Sequence, residues 1–108
     1  MTMPPGVPGR PAAWMTVSDV FHIPRRGTVV TGQLQGGAPL NVGDALVCEG
    51  GRWQVAGIER FRAVLTSALP GSNIGVLLRN GPAGDVLRGR TVTFEPAGTG
   101  PKKRLWRR

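Results

Sequence analysis

Cysteine and histidine, the side chains that most often bind zinc, are almost missing: this sequence of 108 residues has one of each. A single cysteine excludes an internal disulfide, and one Cys with one His is too few ligands for a zinc site of the usual kind. No stretch approaches the roughly 18 continuous apolar residues that a membrane helix needs. We therefore expect no metal site, no cofactor and no membrane partner.

Long helix-compatible stretches are scarce as well. The chain has 17 Gly and 10 Pro, two residue types that break helix interiors. Its hydrophobic content is nevertheless 40%, and its length suits one domain with a core of its own. The composition predicts a single folded domain that is not helical.

Acidic residues are few, and the positive charge is uneven along the chain. Against 14 Lys and Arg there are 6 Asp and Glu, which gives a net charge of +8. The centre, residues 12–95, is nearly balanced, with 8 Arg against 6 acids. A basic tail carrying a tryptophan can hold phosphates and stack on a base, or it can be a solvated tail. The tail residues are Lys102, Lys103, Arg104, Trp106, Arg107 and Arg108.

Both ends of the chain differ in composition from the centre. Residues 1–13 form a Pro/Gly-rich arm that we expect to be flexible, and residues 96–108 a flexible basic tail. The arm has no apolar core of a signal peptide, and a lone Cys48 fits a reduced thiol. The sequence therefore predicts a cytoplasmic protein.

The centre consists of short strand-like runs separated by turn residues. Alternation places Met15, Val17, Phe21 and Ile23 on one face of an extended run, opposite His22. We expect a hairpin turn at Gly50-Gly51, a positive φ at Gly43, and one helical turn over residues 83–87. The expected interior residues are Val17, Phe21, Val29, Leu46, Val55, Ile58, Ile74, Val76, Leu78 and Val92.

Six segments occur in an order that resembles a known family. They are Asp19-Val20-Phe21-His22-Ile23, Arg26-Gly27-Thr28-Val29-Val30-Thr31-Gly32, Val42-Gly43-Asp44, Gly57-Ile58-Glu59 with Arg62, Gly71-Ser72-Asn73-Ile74-Gly75-Val76-Leu77-Leu78-Arg79, and Leu87-Arg88-Gly89-Arg90-Thr91-Val92. The series resembles the second domain of elongation factor Tu and related translational GTPases. The resemblance implies an all-β fold, a closed six-stranded antiparallel Greek-key β-barrel over residues 14–95. Gly27 and Gly32 flank a strand where the chain must bend or approach another backbone closely.

The sequence lacks the GTPase signatures of that family. There is no GxxxxGK[ST] loop to cradle nucleotide phosphates, and neither a DxxG nor an NKxD segment occurs. We therefore expect the barrel to stand alone and to bind no GTP.

The resemblance also implies a site. In elongation factor Tu the second domain helps to hold the aminoacylated 3′ end of transfer RNA. Carried over by position, an adenine patch comprises Ile23, Val29 and Leu77, with Arg25 beside it, and Glu59 accepts a hydrogen bond from the adenosine. Arg62 lies near the ester, and Phe21, Thr31 and Asn73 border the amino-acid side chain.

No pattern of catalytic residues accompanies this site. His22 has no marked nucleophile or carboxylate partner, and Cys48 has no basic sequence neighbour that would activate it. We expect a binding protein that is not an enzyme. One interpretation is an RNA- or translation-associated module that engages transfer RNA or ribosomal RNA through the barrel, its arginines and the tail. The other is a protein–protein interaction module with no nucleic-acid role, which exposes Phe21, Ile23, Val29 and Leu77.

Overall fold

All regular structure in the computed structural model, which describes residues 12–97, is β-strand. The strands are β1 (Ala13–Thr16), β2 (Asp19–Ile23), β3 (Gly27–Gln33), β4 (Gln35–Gly36), β5 (Leu40–Asn41), β6 (Ala45–Cys48), β7 (Gly51–Arg60), β8 (Ala63–Leu65), β9 (Ser67–Ala68), β10 (Asn73–Leu78) and β11 (Thr91–Glu95). No helix in this range is long and apolar enough to cross a membrane. The expected arms lie outside the described residues, apart from Ala12, Ala13, Pro96 and Ala97, and β1 already begins at Ala13.

The expected closed six-stranded barrel is corrected to an open antiparallel sheet. Hydrogen-bonded neighbours follow the order β2-β3-β10-β7-β6-β11-β1-β4, with β8 added beside β7, and β5 pairs with β9 separately. Over residues 12–97 no pairing joins β2 to β4, so the path does not close on itself. The sheet still curls around one core, because Val30, Leu46, Val55 and Val92, from four different strands, all belong to one buried cluster.

Along β3 and β10, side chains point alternately toward the core and away from it. Thr28 and Val30 of β3 and Ile74, Val76 and Leu78 of β10 are buried, and the residues between them are not. The two strands pair in continuous register from Asn73↔Gln33 to Leu78↔Thr28. Of the expected interior residues, eight are buried, and the two exceptions are Phe21 and Val29.

Phe21 was expected inside and is 53% exposed, because the extended run Met15–Ile23 is not one strand. At Val17-Ser18 the chain leaves β11 and joins β3: Val17 N donates to Arg90 O, and Ser18 N donates to Thr31 O. The period of two shifts by one residue there, so Val20 packs against the core and Phe21 turns outward. His22 lies opposite Phe21, as expected. It is thus on the inward face, at the end of the sheet, and it remains exposed to solvent.

Two local expectations are wrong and one is confirmed. In the β6–β7 hairpin Cys48 pairs with Gly51, so the two-residue turn is Glu49-Gly50 and not Gly50-Gly51. The segment 83–87 forms turns instead of a helical turn. Gly43 has φ +102°, the positive value that the tight turn before Asp44 was expected to need.

Asp44 is the one buried acidic side chain of the described residues, with 6% of its surface exposed. Its carboxylate accepts hydrogen bonds from Asn41 N at 2.9 Å and Ala97 N at 3.0 Å. Replacing Asp44 with alanine leaves both amide donors without their acceptor. We expect a loss of about 2 kcal/mol of unfolding free energy, measured by urea denaturation. The matched control is Glu49→Ala, which removes only an exposed ion pair and should change the unfolding free energy by less than about 1 kcal/mol. Equal effects of the two substitutions would contradict this role.

Candidate functional site

The outer face of strands β2, β3, β10 and β7 forms the candidate site. Antiparallel register aligns two rows of side chains across these strands. One row is Phe21, Val29, Leu77 and Gly57, and the other is Thr31, Gly75, Glu59 and Val64 of β8. Each row crosses four strands, so residues far apart in sequence meet on one surface.

Two adjoining cavities, which we call the groove, lie on this face. The first has a volume of about 490 Å³ and the second about 130 Å³. Val29, Glu59 and Gly75 line both, so the cavities share a wall. The groove exists because glycine replaces a side chain at the middle of the face: a Cβ on Gly75 would point at Val29 Cγ1, 3.4 Å away.

The structure brings seven of the nine sequence-predicted site residues into the groove. Those that line it are Phe21, Ile23, Val29, Thr31, Glu59, Asn73 and Leu77. Arg25 and Arg62 do not line it; both are exposed in turns, one after β2 and the other between β7 and β8. Their predicted positions beside an adenosine and an ester remain predictions.

Sequence reasoning missed several groove residues. Gly57 and Gly75 provide the open floor, and a glycine inside a strand is the sequence signal that could have found them. Phe61 and Val64 form a rim, with 88% and 79% of their surfaces exposed. They carry no periodic signal because they lie in the β7–β8 turn and in a strand of three residues.

Phe61 has an unusual backbone. Its φ is +57°, a left-handed conformation that costs a bulky residue about 1–2 kcal/mol. The guanidinium of Arg60 lies over its ring, 5.3 Å from the centroid. The turn therefore holds an aromatic ring in solvent beside the groove, with a cation stacked on it.

Five described arginines have no salt bridge, and one of them lines the groove. Within residues 12–97, Arg52 pairs with Glu95, Arg88 with Asp19 and Asp85, and Arg90 with Glu49. The described arginines without a salt bridge are Arg25, Arg26, Arg60, Arg62 and Arg79. Arg26 lines the second cavity, and the others lie at the ends of β2, β7 and β10 or in the turns beside them. Glu59 is the only carboxylate among the groove-lining residues.

The remaining candidate residues lie apart from the groove. Cys48 and Glu49 line a third cavity of about 610 Å³ with Arg90, Thr91 and Thr93, on the β6–β11 side of the sheet. No group of three or more His, Cys, Asp and Glu in residues 12–97 has the proximity to hold a metal ion. The predicted tail site, Lys102–Arg108, lies outside the described residues.

The curled all-β sheet resembles part of a translation factor. Among solved structures, the crystal structure of bacterial selenocysteine-specific elongation factor EF-Sec is similar to this chain, with a TM-score of 0.66 and 26% sequence identity. The match covers 77% of this chain and 14% of that chain, so the similarity concerns one small part of the elongation factor. No family model matches the sequence.

Proposed function

We propose that this protein is a non-enzymatic, translation-associated binding module whose groove takes single-stranded RNA. In this proposal the fold corresponds to the second domain of elongation factor Tu, over residues 14–95, and the RNA is transfer RNA or ribosomal RNA. The observation that carries the proposal is an apolar groove on the outer sheet face together with five arginines that have no salt bridge, of which Arg26 lines the groove.

The chemistry of the groove suits an unstacked base. A base needs an apolar surface for its face and a polar group at its edge. Val29 and Leu77 offer the first, and Glu59, Thr31 and Asn73 offer the second. Phe61 adds an exposed ring on which a neighbouring base can stack, and arginines bind phosphates bidentately. The inherited role, in which an aminoacylated 3′ adenosine occupies Ile23, Val29 and Leu77, is one form of this proposal.

RNA binding should be measurable and strongly salt-dependent. We expect total transfer RNA, labelled with fluorescein, to bind the full chain at 50 mM salt. The logarithm of the association constant should fall with the logarithm of salt concentration by about 0.7 for each phosphate contacted, because each contact releases counterions. Fluorescence anisotropy over a salt series measures the slope.

A variant with a neutral tail distinguishes RNA binding by the sheet from RNA binding by the tail. In it, glutamine replaces Lys102, Lys103, Arg104, Arg107 and Arg108, so the length is kept and the tail charge is removed. The proposal expects this variant to bind RNA with a smaller salt slope. Absence of binding by the full chain at 50 mM salt would contradict the RNA proposal. Binding that disappears in the glutamine variant would assign it to the tail.

A protein-interaction module is the second candidate function. It is favoured by the exposed apolar rim, in which Phe61 and Val64 are more exposed than Phe21 and Ile23. Under this alternative no RNA binds at any salt concentration of the series, and a folded partner protein buries the rim. In either case the proposal places the protein in the cytoplasm, where the single thiol of Cys48 stays reduced.

A further inference from the structure

Both ring nitrogens of His22 have a hydrogen-bonding partner. Its Nε2 lies 2.7 Å from Gly84 O, and its Nδ1 lies 3.2 Å from the hydroxyl oxygen of Thr28, its cross-strand partner. The Thr28 hydroxyl also lies 3.2 Å from Pro82 O, to which it donates. These contacts connect β2 and β3 with the segment between β10 and β11, which we call the 79–90 loop.

Only one protonation state of His22 satisfies all three hydrogen-bonding contacts. Gly84 O is only an acceptor, so Nε2 must carry a proton. The hydroxyl of Thr28 has one proton, and when it donates to Pro82 O it can only accept from Nδ1. Nδ1 must then carry a proton as well. The complete network therefore belongs to the imidazolium, and the neutral ring gives up one hydrogen bond.

The network supports the strand that carries one wall of the groove. Within residues 12–97, β2 is the end strand of the pairing path and pairs only with β3. Phe21 and Ile23 point from β2 into the groove, and His22 points the other way, toward the 79–90 loop. A second contact joins the loop to β2: the guanidinium of Arg88 lies 3.2 Å from the carboxylate of Asp19.

We propose that protonation of His22 regulates the groove: the imidazolium draws the 79–90 loop onto β2 through Gly84, Thr28 and Pro82, and so holds Phe21 and Ile23 in place for binding. This inference rests on the proposed function for its effect on RNA, and on the hydrogen-bond network alone for its effect on the loop. Binding should be tighter at pH 5.5 than at pH 8, because only the imidazolium completes the hydrogen-bond network.

Charged groups lie on several of the elements that neighbour His22. Asp19 on β2 and Asp85 on the 79–90 loop both pair with Arg88. The other cations on the adjoining turns and strand ends are Arg25, Arg26 and Arg79. Because these arginines are exposed, added salt screens their charges, whereas the hydrogen bonds to Gly84 and Thr28 persist.

The pH dependence can be tested cleanly because His22 is the only histidine in the chain. We expect affinity for labelled transfer RNA, measured by anisotropy at constant ionic strength, to be about fivefold higher at pH 5.5 than at pH 8, the effect of one net hydrogen bond. His22→Gln keeps a donor for Gly84 O but has no imidazole proton to lose, so it should lose most of this fivefold change.

A matched pair at Thr28 tests the network itself. Thr28→Ser keeps the hydroxyl and should retain the fivefold dependence, whereas the isosteric Thr28→Val removes it and should lose most of that dependence. An equal pH effect in Thr28→Val would overturn the proposal. Circular dichroism checks that each variant is folded.

A readout without RNA separates this proposal from the proposed function. Nitrogen-15 NMR of the imidazole should show both nitrogens protonated at pH 5.5, and the amides of residues 82–85 should become more ordered there than at pH 8. If RNA does not bind but the loop orders, the proposed function fails and the His22 network stands. If the loop order is the same at both pH values, the network does not act as a switch.

Discussion

Replacing Gly75 with valine should weaken RNA binding by roughly tenfold to a hundredfold while the chain stays folded. Gly75 lies at the floor shared by both cavities, so a valine there occupies the space that a base would take. Loss of one stacked base costs about 1–3 kcal/mol, which sets the size of the effect. Anisotropy with labelled transfer RNA at 50 mM salt measures it.

The fold should tolerate this valine. A Cβ on Gly75 would meet Val29 Cγ1 at 3.4 Å and Thr31 Cγ2 at 3.9 Å, which are ordinary van der Waals distances for the first added carbon, and Gly75 is not among the glycines with positive φ. The two methyl groups beyond that carbon occupy the groove, and circular dichroism checks that the variant is folded. β-branched residues also suit a strand. The matched control is Thr93→Val, which places the same side chain on the outer face of β11, away from the groove. Unchanged affinity in a folded Gly75→Val protein would show that the groove is not the RNA site.

Replacing Gly27 with alanine should destabilise the protein by about 3–5 kcal/mol. Gly27 has φ +137°, a conformation essentially restricted to glycine, and an added Cβ would lie 2.5 Å from the carbonyl oxygen of Leu78. Relief of this overlap requires the backbones of β3 and β10 to separate, because the atom that it meets is not a flexible side chain. The midpoint of thermal unfolding should fall by roughly 15 to 25 °C.

Gly50 provides the control for Gly27. It also has a positive φ, +85°, but a Cβ there would have no atom within 4 Å. Gly50→Ala therefore measures the conformational cost alone, which should be about 1 kcal/mol. A Gly27→Ala protein as stable as Gly50→Ala would mean that the close approach to Leu78 does not matter.

Strands that have a clear local pattern were predictable from the sequence. The strand that Gly27 and Gly32 flank was predicted and is found as β3, but its buried face was not, because Val29 was expected inside whereas Thr28 and Val30 are buried. In β10 the expected interior residues Ile74, Val76 and Leu78 are all buried, in agreement with the alternation of that run. The β1–β2 break was not predictable from alternation. It depends on Arg90 and Thr31, which bind Val17 and Ser18 from distant parts of the chain. This break reversed the expected facing of Phe21.

Seven of the residues that line the groove were predictable from the sequence, but the shape of the groove was not. Position-by-position resemblance selected residues on four strands, and register places seven of them together. The floor at Gly57 and Gly75 and the rim at Phe61 follow from missing side chains and from a left-handed turn, which hydrophobic patterning does not register. The sequence also did not predict that the sheet stays open, because closure of a sheet into a barrel depends on long-range geometry and not on local composition.

The separation of paired from unpaired arginines has a kinetic consequence. Ion pairs neutralise Arg52 and Arg90 on the side of β6 and β11, while Arg26, which lines the groove, and Arg25 and Arg62, in the turns after β2 and β7, have no salt bridge. In the proposed RNA complex, such a charge distribution would orient the molecule in the field of the polyanion before contact. The association rate, more than the lifetime of that complex, would then depend on salt.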